Sequence, residues 1–129
     1  MKIKVTTIYV DDQDKALAFY TDVLGFTKKN DFGNGGYRWL TVVPAEDPEG
    51  VELQLASNAN PAGKAYQQAT FQQGQPAIQF FTDDVKADCD AIKAKGVTLR
   101  MEPTDVTAST IAQLDDGCGN IIQLTQLNW

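Results

Sequence analysis

The chain has 129 residues, a formal net charge of −6, two cysteines and no histidine. That length fits one domain with its own core, without disulfide or metal staples. The acidic balance argues against nucleic-acid phosphate or an anionic membrane surface as a partner, since each needs a basic stripe.

Ile3 to Val10 is rich in β-branched residues and is predicted as a strand, with Val5, Thr7 and Tyr9 on one face and Ile8 and Val10 on the other. Asp12 is placed to cap a helix over Lys15 to Leu24, whose stripe is Ala16, Phe19, Tyr20, Val23 and Leu24. Gly25 ends that helix. Asp31 to Gly36 is a turn cluster, and its Gly-rich stretch Gly33-Asn34-Gly35-Gly36 is expected as a mobile loop at the rim of the site. Strands follow at Tyr37–Val43 and Val51–Ala56. Residues 57–74 form a polar connector, with Asn60 as a cap and Pro61 opening a short helix.

The plan then returns. Ala77–Thr82 is a strand, Asp83-Asp84 precedes a helix from Val85 to Lys95, and Gly96 closes it. Strands are predicted at Val97–Arg100, Ser109–Asp115 and Asn120–Leu127. Val10-Asp11-Asp12 matches Thr82-Asp83-Asp84, and Leu24-Gly25-Phe26 matches Lys95-Gly96-Val97, at an offset of 71–72 residues. A repeat with the same element order fixes the architecture. It is α+β, one domain over residues 1–129, with two tandem βαβββ modules at about 1–56 and 75–129. The packed layer between helices and sheet is expected to be Ile8, Val10, Ala16, Phe19, Tyr20, Leu24, Leu53, Leu55, Ile78, Phe80, Ile92, Ile122 and Leu124.

Two segments carry a resemblance over essentially the whole chain. They are Val10-Asp11-Asp12-Gln13-Asp14-Lys15-Ala16-Leu17-Ala18-Phe19-Tyr20 with Val23-Leu24-Gly25-Phe26, and Asp115-Asp116-Gly117-Cys118-Gly119-Asn120-Ile121-Ile122-Gln123-Leu124. The chain resembles the vicinal oxygen chelate superfamily of glyoxalases, bleomycin-resistance proteins and extradiol dioxygenases. The resemblance implies a cup of curved mixed sheet with helices outside, and a homodimer. In metal-dependent members of that group the usual ligands fall on positions held here by Val5, Ala77 and Gln123. The matching region of the first module holds Glu52 and Gln54.

Val5 and Ala77 have no donor atom, Gln123 has only an amide oxygen, and no imidazole is available elsewhere. No metal and no cofactor are therefore expected. The absence of histidine also removes Ser-His-Asp and Cys-His catalysis. Glu52 is the one acidic residue that alternation points toward the cup. It reads either as a catalytic base with a burial-raised pKa or as a structural partner of Gln54, Gln123 or Arg38. Val5, Thr7, Tyr9, Gln54, Ala77, Gln79, Phe81 and Gln123 share its parity, with Thr125 beside them and Trp39 as a wall. Neutral, amide-bearing and aromatic, this set reads as a ligand-binding surface. The expected activity is metal-independent binding of a small organic molecule, cationic in view of the net charge, in the manner of antibiotic-sequestering relatives. The alternative is a lyase, isomerase or dioxygenase working through Glu52, with or without a divalent ion. Cys89 and Cys118 do not make a secreted disulfide framework, and the start of the chain has no signal-peptide anatomy. The expected location is the cytoplasm.

Overall fold

In the computed structural model, residues 1–129 are all described. Alternating β-branched residues build β1 (Val5–Val10). Helix α1 (Gln13–Ala18) starts where Asp12 accepts a hydrogen bond from the Lys15 amide, and it continues as one π-helical turn over Phe19–Val23. β2 (Thr27–Asn34), β3 (Tyr37–Val43) and β4 (Glu52–Ser57) complete the first module. The second repeats the order as β5 (Ile78–Phe81), α3 (Val85–Ala94), β6 (Leu99–Asp105), β7 (Ser109–Asp115) and β8 (Ile121–Leu127). Between them lies α2 (Pro61–Gln72), capped by Asn60 as expected and twelve residues long. None of these helices is long and apolar enough to cross a membrane.

Each module makes its own four-stranded mixed sheet, ordered β1-β4-β3-β2 and β5-β8-β7-β6. The β1/β4 and β5/β8 pairs are parallel and the others antiparallel. One face of each sheet carries the apolar residues. Ile8, Val10, Leu53 and Leu55 of the first join Ala112, Leu114, Ile122 and Leu124 of the second in a single core, with Tyr20 from the first helical segment and Cys89 and Ile92 from α3. Phe80 bridges the modules, its ring 6.4 Å from that of Tyr20 and 4.9 Å from that of Phe26. Phe19, Leu24, Ile78 and Phe80 are only partly buried against this core.

Three boundaries differ from the sequence reading. The cluster at Asp31–Gly36 is no loop: β2 runs through Asn34, and the turn is Gly35-Gly36 alone. Both glycines have positive φ, 62° and 85°, the pairing a two-residue hairpin needs to match strand twist. The expected mobile rim loop is therefore a tight hairpin. The strand expected at Val97–Arg100 is shifted and longer, because register irregularities with β7 let it continue past Pro103. The first helix tightens its entry at Gln13 and widens into the π-turn, where the Leu24 amide donates to the Phe19 carbonyl.

Candidate functional site

Strand parity turns polar side chains onto the face of each sheet opposite the core. On the first sheet, register places Val5 beside Glu52, Thr7 beside Gln54 and Gln54 beside Thr41. Trp39 lies two residues from Thr41, opposite Phe32, and so shares this face. Thr7 Oγ1 donates to Gln54 Oε1 at 2.8 Å, and Gln54 Nε2 donates to the Tyr37 hydroxyl at 3.4 Å. The ring of Tyr9 lies against α2: a Cβ at Gly63 would come within 2.7 Å of its Cε1.

Glu52 opens β4 on this face with only 6% of its surface exposed. Its Oε1 accepts from Thr41 Oγ1 at 2.7 Å and from Asn30 Nδ2 at 2.8 Å. Lys4 Nζ stands 3.8 Å from Oε2. The Thr41 hydrogen bond leads the causes that hold the carboxyl below its ordinary pKa, with Asn30, Lys4 and Lys29 adding to it against the opposing effect of burial. Glu52 is thus held as a stabilised anion, and its pKa moves away from the working pH at which a general base is most effective. Its partners are neither Gln54 nor Gln123. Arg38 is not a partner either: it pairs instead with Asp31 and Asp14, at 2.8 and 2.6 Å.

On the second sheet, Gln113 Nε2 donates to Gln123 Oε1 at 3.1 Å, and Gln123 Nε2 to Gln79 Oε1 at 3.1 Å. Thr125 Oγ1 also donates to Gln79 Oε1, at 3.0 Å. Phe81 pairs with Thr125 in register, and Ala77 lies ahead of β5 where its amide donates to the Ile121 carbonyl. The structure therefore groups Val5, Thr7, Tyr9, Trp39, Glu52 and Gln54 on one sheet, and Ala77, Gln79, Phe81 and Gln123 on the other. These hydrogen bonds stay within each face, and both faces look away from the shared core.

Asn30, Tyr37, Thr41 and Gln113 belong to these networks and escaped the sequence reading. The alternation Tyr37-Trp39-Thr41 was the available signal, but which side of β3 faces the core depends on its register with β4. The donor set does not fit a catalytic transition metal. No cluster of three histidine, cysteine or acidic side chains is present, Glu52 is committed to a hydroxyl, an amide and an ammonium, and the Gln123 amide is taken up by its neighbours.

The sequence profile of the Glyoxalase/Bleomycin resistance protein/Dioxygenase superfamily matches residues 2–124. The chain belongs to that superfamily. Among superfamily relatives, YurT of Bacillus subtilis (strain 168) is 49% identical, over 98% of this chain and 99% of its own. A probable lactoylglutathione lyase of Vibrio cholerae is 33% identical, over 97% of this chain and 90% of its own. The crystal structure of TnmS3, an antibiotic binding protein from Streptomyces sp. CB03234, superposes with a TM-score of 0.78 at 27% identity, covering 98% of this chain and 96% of that one. The chain is thus similar both to a protein described as antibiotic binding and to one named a probable lactoylglutathione lyase.

Proposed function

We propose that this superfamily member binds a small organic molecule without a metal, using the amide-bearing sheet faces. The observation that carries the reading is the state of Glu52. Its pKa is lowered, and it is held by the Thr41 hydroxyl, the Asn30 amide and the nearby Lys4 ammonium, with no second carboxyl or imidazole beside it. The amides of Gln54, Gln79, Gln113 and Gln123 supply both donors and acceptors, which suits a ligand with several carbonyl or hydroxyl groups. The net charge of −6 favours a ligand with cationic character. The printed description of TnmS3 as an antibiotic binding protein supports the same reading. The reading includes a cytoplasmic homodimer.

The test is native mass spectrometry and elemental analysis of protein purified without chelator. A bound organic mass with substoichiometric zinc, iron, nickel and manganese is expected. A stoichiometric transition metal would overturn the proposal.

The kinship with the Vibrio lyase keeps one competing reading in view. A lyase, isomerase or dioxygenase would have to work through Glu52, so Glu52→Gln would abolish turnover. Binding by the amide faces predicts that Glu52→Gln still retains an organic ligand.

A further inference from the structure

A concavity of about 510 Å³ runs along the connector helix α2. None of its lining residues belongs to a strand. Asp11 follows β1, Asn58 follows β4, Gly119 lies in the β7–β8 turn, and the others come from α2. The volume falls in the range of small-molecule sites, about 300–1,000 Å³.

Its floor is fixed. Gln67 is 5% exposed and uses its amide inside the protein, donating to the carbonyls of Tyr9 and Cys118 and accepting from Asn58 Nδ2. Gly119 closes on that amide with a φ of 98°, and a Cβ there would come within 2.7 Å of Gln67 Nε2. The Phe71 ring is held by the Arg100 guanidinium, 5.4 Å from its centroid, which in turn pairs with Asp115.

Around this floor stand groups with no internal work. Lys64, Gln68 and Gln72 follow one another at four-residue spacing along one stripe of α2, all exposed. The Lys64 ammonium and the Asp11 carboxylate line the same cavity, yet they form no ion pair with each other or with any other side chain. Opposite charges that share a cavity without closing on each other favour a molecule carrying both. A lone anion would meet Asp11, and a lone cation would meet Lys64. An apolar molecule would strip water from the amides of Gln68 and Gln72 without replacing its hydrogen bonds.

We propose that this cavity binds a free α-amino acid with a polar side chain, its carboxylate at Lys64, its ammonium at Asp11, and its side chain along the amides of Gln68 and Gln72. The site is separate from the sheet faces and does not depend on what they bind.

Nitrogen–proton correlation NMR of the full chain tests it, with L-glutamine as the probe. Glutamine is expected to move the signals of the Gly119 amide and the Gln67 carboxamide, and to leave the carboxamides of Gln79 and Gln123 in place. N-acetyl-L-glutamine lacks the ammonium and L-glutaminamide lacks the carboxylate. Each is expected to bind about tenfold more weakly, the value of one hydrogen bond between charged groups. Asp11→Asn should weaken glutamine by the same factor and remove its advantage over N-acetylglutamine. Lys64→Gln should do so against glutaminamide. Both side chains are exposed, so the variants should keep the parent's spectrum elsewhere. No saturable shift at Gly119 with glutamine, asparagine or serine would overturn the proposal. So would equal affinity for glutamine and its two derivatives, or binding that survives both substitutions.

Discussion

Tyr20 and Asp116, 96 positions apart in the chain, meet in the core, where the phenol donates to Asp116 Oδ2 at 2.8 Å. The same carboxylate accepts from the amides of Cys118 and Asn120 and from Asn120 Nδ2. One acidic side chain therefore shapes the β7–β8 turn and fastens it to the helical segment of the other module. Removing the phenol still leaves Asp116 Oδ2 an acceptor for Asn120. Tyr20→Phe should cost about 1 kcal/mol, whereas Asp116→Ala takes the acceptor from four donors at once and should cost about 3 kcal/mol or more. Urea unfolding of both variants checks the difference.

The alkaline limb of stability has an identifiable source. Burial pushes the Cys118 thiol from 9.0 up to about 12, and burial with the Asp116 contact raises Tyr20 well above 10.0. Both groups hold their protons more tightly folded than unfolded. Their contribution is complete below pH 9, and it is lost as pH rises through the unfolded values toward the folded ones. Unfolding free energy should fall from about pH 9 upward. Cys118→Ala, melted across the same pH range, should flatten the first part of that fall.

At the acidic end the sign reverses. The Glu52 carboxyl is held below its ordinary 4.5 by Thr41, Asn30 and Lys4, so it stabilises the fold above that pH and ceases to do so as pH falls through its folded value. Glu52→Gln keeps an oxygen for Thr41 and Asn30 and loses only the charge. The variant should therefore lose about 1 kcal/mol at pH 7 and show a shallower acid limb than the parent.

Gly63 tests the packing of the connector helix. Alanine in a helix interior is favoured over glycine by about 1 kcal/mol. Here the added methyl would collide with the Tyr9 ring, at 2.7 and 2.8 Å from two of its carbons. Overpacking of this kind costs about 1–3 kcal/mol, so Gly63→Ala should be destabilising despite the better propensity. A lowered melting temperature in Gly63→Ala that partly recovers on adding Tyr9→Ala would confirm the collision.

Much of the architecture was legible because the repeat forces it. Asp12 and Asp84 cap corresponding helices, Gly25 and Gly96 end them with positive φ, and alternation alone put Glu52, Gln54 and Gln123 on the side away from the core. The site's internal wiring was not legible. Thr41 and Asn30 reach Glu52 across two strand pairings, and an irregularity between Lys28 and Asn30 sets which residue of β2 stands opposite Thr41. Periodicity along one strand cannot supply that. Glycine content also misled the reading at Gly33–Gly36: only two of those residues take the turn's backbone, while Gly33 stays in the ladder opposite Arg38, where a Cβ would strike the Tyr37 carbonyl.

The connector helix has a consequence for how this molecule can be divided. Gln67 hands its amide hydrogens to the carbonyls of Tyr9 and Cys118 and takes one from Asn58. A single linker side chain thereby spans the seam between the halves, and the greasy sides of both halves close on each other. Either half expressed by itself would be left with a bare apolar flank and should precipitate or find a substitute cover.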